Sequence, residues 1–138
     1  MFWHPTDNPA VLTVTAEPEP RGSCDAFDLC RFETLATVLR QPDGIEHVLL
    51  SDGYRRIQIV LVQGTVLQGP VRLHYRLSGF TGVEAGILTL RRFYGLHSLG
   101  RLPYGLFTAE SRASRFLTLL RAWDGWREGA SYRDIAAV

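Results

Sequence analysis

The apolar pattern of this chain changes its period once, near Gly82, and that change restricts the fold more than any other feature. Before it, "VRLHYRL" (71–77) alternates, with Val71, Leu73, Tyr75 and Leu77 on one side and Arg72, His74 and Arg76 on the other. A period of two is that of a half-buried strand, so one face is expected on a core and the other, cationic, in water. After Gly82, residues Val83, Ile87, Leu90, Tyr94 and His97 recur at helical spacing, flanked by Arg91 and Arg92. That stripe predicts a helix with those five residues inward. Strands first and helices last is the order of an α+β chain.

Upstream, "VLTVTA" (11–16) is alternating and β-branched, and predicts a strand. It should stop at "EPEPRG" (17–22), where Pro18 and Pro20 lack the N–H of a ladder. "FDLCRFETLATVL" (27–39) is ambiguous and becomes a strand near Thr37–Leu39. "QPDG" (41–44) and "SDGY" (51–54) are turn words, because Pro presets φ, Asp bonds nearby backbone and Gly takes positive φ. With "IEHVLL" (45–50) and "RRIQIVLVQG" (55–64) they make two hairpins in series. The expectation is a small antiparallel sheet of about five strands, followed by C-terminal helices forming a partial helix-turn-helix.

Gly100, Pro103 and Gly105 interrupt the first helix. Thr108 then caps a second, with Glu110 in its first turn and an apolar stripe from Ala109 through Phe116 and Leu120 to Trp123. Trp123 and Trp126 are expected to anchor the junction of sheet and helices. Gly129 ends this helix, and Ser131 with Asp134 forms a capping box that opens a last one over Tyr132–Val138. At 138 residues the expectation is one domain over 1–138, mainly β in 1–80 and helical in 81–138.

Charge is unevenly spread. Residues 1–54 hold three arginines against nine acids, and residues 55–138 hold twelve against five. All 15 basic residues are Arg. An acidic first part and a basic second part point to an anionic partner for the second. Arg binds phosphate bidentately, which suits nucleic acid. Arg112 and Arg115 share a helix face, Arg127 and Arg133 bracket the last turn with Tyr132, and Arg72 with Arg76 offers a second patch.

Catalytic words are missing: there is no G-x-S-x-G elbow, no P-loop and no G-x-G-x-x-G. Cys24 and Cys30 form a C-x5-C without a second pair, so two partly buried free thiols are expected and no metal or cofactor. No apolar run approaches the roughly 18 residues of a membrane span, and the N-terminus has no basic n-region. The expectation is a cytoplasmic non-enzyme with no membrane partner.

Several words together resemble one family. "FWHPTDNPAVLTV", "GIEHVLLSDGYRRIQIVL", "LQGPVRLHYRLSGF", "LTLRRFYGLHSLGRLP" and "RFLTLLRAWDGWREGASYRDIA" follow one another as in the RovC-like type VI secretion transcription factor DNA-binding domain family. The resemblance runs from about Phe2 to the end. It implies a bacterial cytoplasmic transcription regulator whose DNA contacts would include Arg112, Arg115, Arg127, Arg133 and Tyr132. Family members continue past "SYRDIA" into another basic helix, so the expectation here is the supporting helix without the recognition helix. Two other readings stay open. One is an antiactivator-like protein-interaction module that pairs with a longer relative or with itself. The other is an enzyme that grips a phosphorylated small molecule through the "VRLHYRL" face.

Overall fold

Both turn words close hairpins. In the computed structural model, which describes residues 1–107 together with Leu120 and Trp123, β2 (Ala36–Arg40), β3 (Glu46–Ser51) and β4 (Arg56–Gln63) form an antiparallel meander. Ahead of them lie β1 (Leu12–Pro18) and a single 3-10 turn at Leu29–Phe32, capped by the Asp28 carboxylate. After them come β5 (Val71–Arg76), α1 (Val83–Leu99) and a second 3-10 turn at Tyr104–Leu106. The compact unit these form is Met1–Phe107. The second helix capped by Thr108, the Gly129 stop, Trp126 and the Ser131–Asp134 box lie outside the described residues. Leu120 and Trp123 are helical and mostly exposed.

The fold is α+β, but the sheet is mixed, not antiparallel throughout. Its order is β2-β3-β4-β1-β5, with β1 parallel to β4 and antiparallel to β5. The reason lies in β4. Ile57 to Leu61 are all buried, on both faces, and a strand covered on both faces sits inside a sheet with a neighbour on each edge. β3 takes one edge and β1 the other, so β5 pairs with β1 instead of β4. The intervening loop is tied down by Glu46, which is fully buried. Its carboxylate accepts from Thr65 Oγ1 at 2.6 Å and from the Val66 N–H at 3.1 Å. At Gly64, φ is +84°, and a Cβ would run into the Ala16 carbonyl oxygen. Only glycine fits there.

β1 also runs further than its prolines suggested. Pairing with β4 ends at Thr15, so Pro18 faces only β5 and withholds no ladder donor on the other side.

One face of the sheet carries the core: Leu12, Val14, Val48, Leu50, Ile59 and Leu61, closed by Phe93 and Leu96 of α1 and by Phe27 and Phe32. The helix boundaries agree with the sequence, but its inward face does not. Gly86, Thr89, Phe93 and Leu96 are buried, whereas Ile87 is 44% and Tyr94 71% exposed. Close approach explains the rotation. At Gly86 a Cβ would press on the Leu77 side chain, and Thr89 Oγ1 donates to the Ala10 carbonyl at 2.6 Å. The helix seats on its small residues, which an apolar count ignores. On β5, Val71 and Leu73 are buried as expected, while Tyr75 and, just past the strand, Leu77 stay exposed.

The N-terminal segment covers part of the opposite face. The Trp3 N–H donates to Gln58 Oε1 at 2.9 Å, and Gln58 Nε2 donates to the Trp3 carbonyl at 2.7 Å. The Phe2 ring meets His47 edge-on.

Candidate nucleic-acid interface

The expected cationic face of β5 is partly neutral. Arg72 Nη2 lies 3.2 Å from Glu19 Oε1 and 3.1 Å from Asp25 Oδ2. His74 Nε2 lies 3.2 Å from Glu17 Oε2. The carboxylates come from the end of β1 and the loop after it, because β1 is the strand that pairs with β5. Arg72 is therefore ion-paired with two carboxylates while its side chain stays 46% exposed. Arg76, on the same strand face, is exposed and has no ion pair among the described residues. Arg112, Arg115, Arg127, Tyr132 and Arg133 lie outside the described residues.

A second arginine group is assembled only by the fold. In the β3–β4 turn, Asp52 Oδ1 accepts from the N–H groups of Tyr54 at 3.0 Å and Arg55 at 2.7 Å. Its Oδ2 takes the Arg55 guanidinium at 3.0 Å. These bonds, the backbone ones foremost, hold the Asp52 carboxyl below its ordinary range. The Gly53 N–H bonds Ser51 Oγ at 3.1 Å, with φ at +94°. The turn is thus fixed, and it carries Tyr54 outward at 95% exposure.

From the other side comes the loop after α1. Gly100 closes the helix, its N–H bonding the Leu96 carbonyl at 2.8 Å. Leu102 and Pro103 are then buried and anchor the loop, so Arg101 and Tyr104 stay on its surface. The Arg55 and Arg101 guanidinium carbons lie 4.1 Å and 4.8 Å from the Tyr104 ring centroid. Such contacts stabilise by about 0.5–1 kcal/mol when exposed. Arg92 secures the loop further along: its Nε donates to the Leu106 carbonyl at 3.0 Å and its guanidinium lies over Phe107. Burial lowers the pKa of Arg92.

The stretch that holds this group is rich in arginine. Residues 55–107 contain seven arginines and one acid, Glu84. Arg56, Arg76, Arg91 and Arg101 are all exposed and without a carboxylate partner among the described residues. Arg55, Arg56 and Arg101 were not singled out by the sequence, since "GYRRI" and "GRLPYG" meet only through the fold. The signal that existed was the near-absence of acids over this stretch.

Two further features complete the surface. The outward side of α1 borders an open groove of about 800 Å³ lined by Tyr75, Ile87, Leu90, Tyr94, Leu99 and Leu106, with Arg91 as its charged member. It is the apolar stripe that the sequence had turned inward. On the far face of the sheet, His47 is buried with Nδ1 unbonded. Burial, and secondarily His4, lower its pKa, against a smaller opposing pull from Asp43. Cys24 and Cys30 are free and exposed, not partly buried. No group of potential metal ligands occurs among the described residues, and no helix there is long and apolar enough to cross a membrane.

No family model, curated protein or solved structure matches this chain.

Proposed function

We propose that the chain is the DNA-binding domain of a cytoplasmic bacterial transcription regulator, of the RovC-like type that its motifs resemble. The observation that carries this reading is the set of exposed arginines without carboxylate partners: Arg56, Arg76, Arg91 and Arg101. Exposed guanidinium groups without carboxylate partners are the electrostatic signature of polyanion binding. Arg112, Arg115, Arg127 and Arg133 extend the same sign along the sequence. Phosphate contacts of this kind release counterions, so affinity must fall with salt. Anisotropy of a labelled duplex between 50 and 200 mM salt tests it. If at least three arginines contact phosphates, log K falls linearly with log salt at a slope of about −3 or steeper. Failure to bind any duplex at the lowest salt ends the reading.

The groove on α1 favours a second reading, a protein-interaction module that pairs with a second copy or a longer relative. Light scattering that shows a strict monomer at high concentration counts against self-pairing.

A further inference from the structure

We infer that the β3–β4 turn and the loop after α1 form one contact surface for the phosphate backbone of duplex DNA, with Tyr54, Arg101 and Tyr104 as the contacting side chains and Arg55 as a positioning residue. This rests on the DNA-binding reading above, and it places that contact on residues other than those of the β5 patch.

Three observations lead to it. The first is preorganisation. The turn is fixed by three hydrogen bonds to the Asp52 carboxylate and one to Ser51 Oγ. The loop is anchored by buried Leu102 and Pro103 and by Arg92. Arg55 joins the two, bound to Asp52 at one end and stacked on Tyr104 at the other. An exposed Tyr54 on a rigid tip loses little further freedom on contact, which lowers the cost of binding.

The second is charge. Asp52 is the one acid of the turn, and its carboxylate is already saturated by Tyr54 and Arg55. Arg101 has no counter-charge among the described residues. Arg55 and Arg101 lie on one ring, near enough for their repulsion to fall within about one Debye length, ~8–10 Å. An incoming anion relieves that repulsion. A guanidinium stacked by its face still has the edge of its fork for a bidentate phosphate contact.

The third is shape. The contacting side chains stand on a projecting turn and an adjacent loop, and Tyr54 is almost fully exposed. A small-anion site would be concave, with converging buried polar groups. A projecting arginine and tyrosine surface instead suits an extended backbone, where Arg, Tyr and main-chain groups supply the positioning contacts.

The test uses the full chain with a labelled 20-base-pair duplex, the matching single strand and a poly-glutamate peptide. The variants are Tyr54→Ala, Arg101→Ala and, as a control in the β1–β2 connection, Arg21→Ala. R101A is expected to weaken duplex binding roughly five- to tenfold near 0.1 M salt and to reduce the salt slope by about one. Y54A is expected to weaken it about threefold or more at unchanged slope, since the phenol carries no charge. R21A should bind as the parent does. Thermal melts check the fold, and Y54A keeps the test decisive even if R101A loosens the loop, because Tyr54 makes no packing contact to lose at that exposure. If the parent binds duplex and both variants match it, the inference falls while the DNA-binding reading stands. If the parent binds no duplex, that reading falls and takes the inference with it. A loss confined to the single strand or to poly-glutamate overturns the duplex assignment.

Discussion

Two arginine-bearing surfaces lie on this fold and differ in what surrounds them. At the β1–β5 edge, Arg72 is held between Glu19 and Asp25, and His74 faces Glu17. At the β3–β4 turn and the loop after α1, the one acid is consumed by the turn itself, and Arg101 remains unpaired among the described residues. The residue type is the same on both surfaces. What decides whether a guanidinium can meet a phosphate is the carboxylate that the topology brings beside it. The parallel insertion of β1 between β4 and β5 supplies those carboxylates on one side and none on the other.

Both surfaces hang on one core, and Phe93 joins them. It packs on Phe27 at 5.1 Å, next to the acidic edge, and belongs to the helix that leads to Arg101. Phe93→Ala should cost about 3–5 kcal/mol, enough to unfold a marginal domain. Chemical denaturation followed by two probes, one at each surface, should show a single shared transition. Two separate transitions would break the comparison, because the surfaces would then be independent units.

A smaller effect sharpens it from the sheet face opposite the core. His47 is buried with Nδ1 unbonded, and its pKa is lowered chiefly by burial. Its neutral form is favoured in the folded state. The stability tied to that neutrality is complete above the unfolded pKa of about 6.5 and is lost as pH falls through the lower folded value. His47→Leu should be neutral or mildly stabilising near pH 7.5, since it removes an unsatisfied buried atom. The gap between variant and parent should widen toward pH 5 in paired thermal melts. A constant gap across that range would mean that His47 does not carry this pH dependence. Neither arginine surface touches His47, so the contrast between them should survive the substitution.

The β2–β3–β4 meander was legible because its turns are local: Asp43, Gly44, Asp52 and Gly53 act within a few residues of themselves. The place of β1 was not, since parallel pairing leaves no local word. The only hint was the unbroken apolar run Ile59–Val60–Leu61–Val62, too continuous for an outer strand. The extent of α1 was legible and its face was not, because Gly86 and Thr89 are inward for closeness and hydrogen bonding instead of apolarity. The site failed for the same reason. Arg72 meets Glu19 across 53 residues and Asp25 across 47, and Arg55 meets Arg101 only through Tyr104. Sequence reading counts charges, but it takes the fold to pair them.

The most direct measurement sets Arg72→Ala and Arg101→Ala side by side in salt titrations on one duplex. Each removes one positive charge, so any difference between them reports availability and not net charge. The expected result is a slope about one unit shallower for R101A and unchanged for R72A, whose guanidinium is already ion-paired with Glu19 and Asp25. Equal slopes for the two variants, or a larger loss in R72A, would contradict the claim that pairing decides which arginines meet DNA.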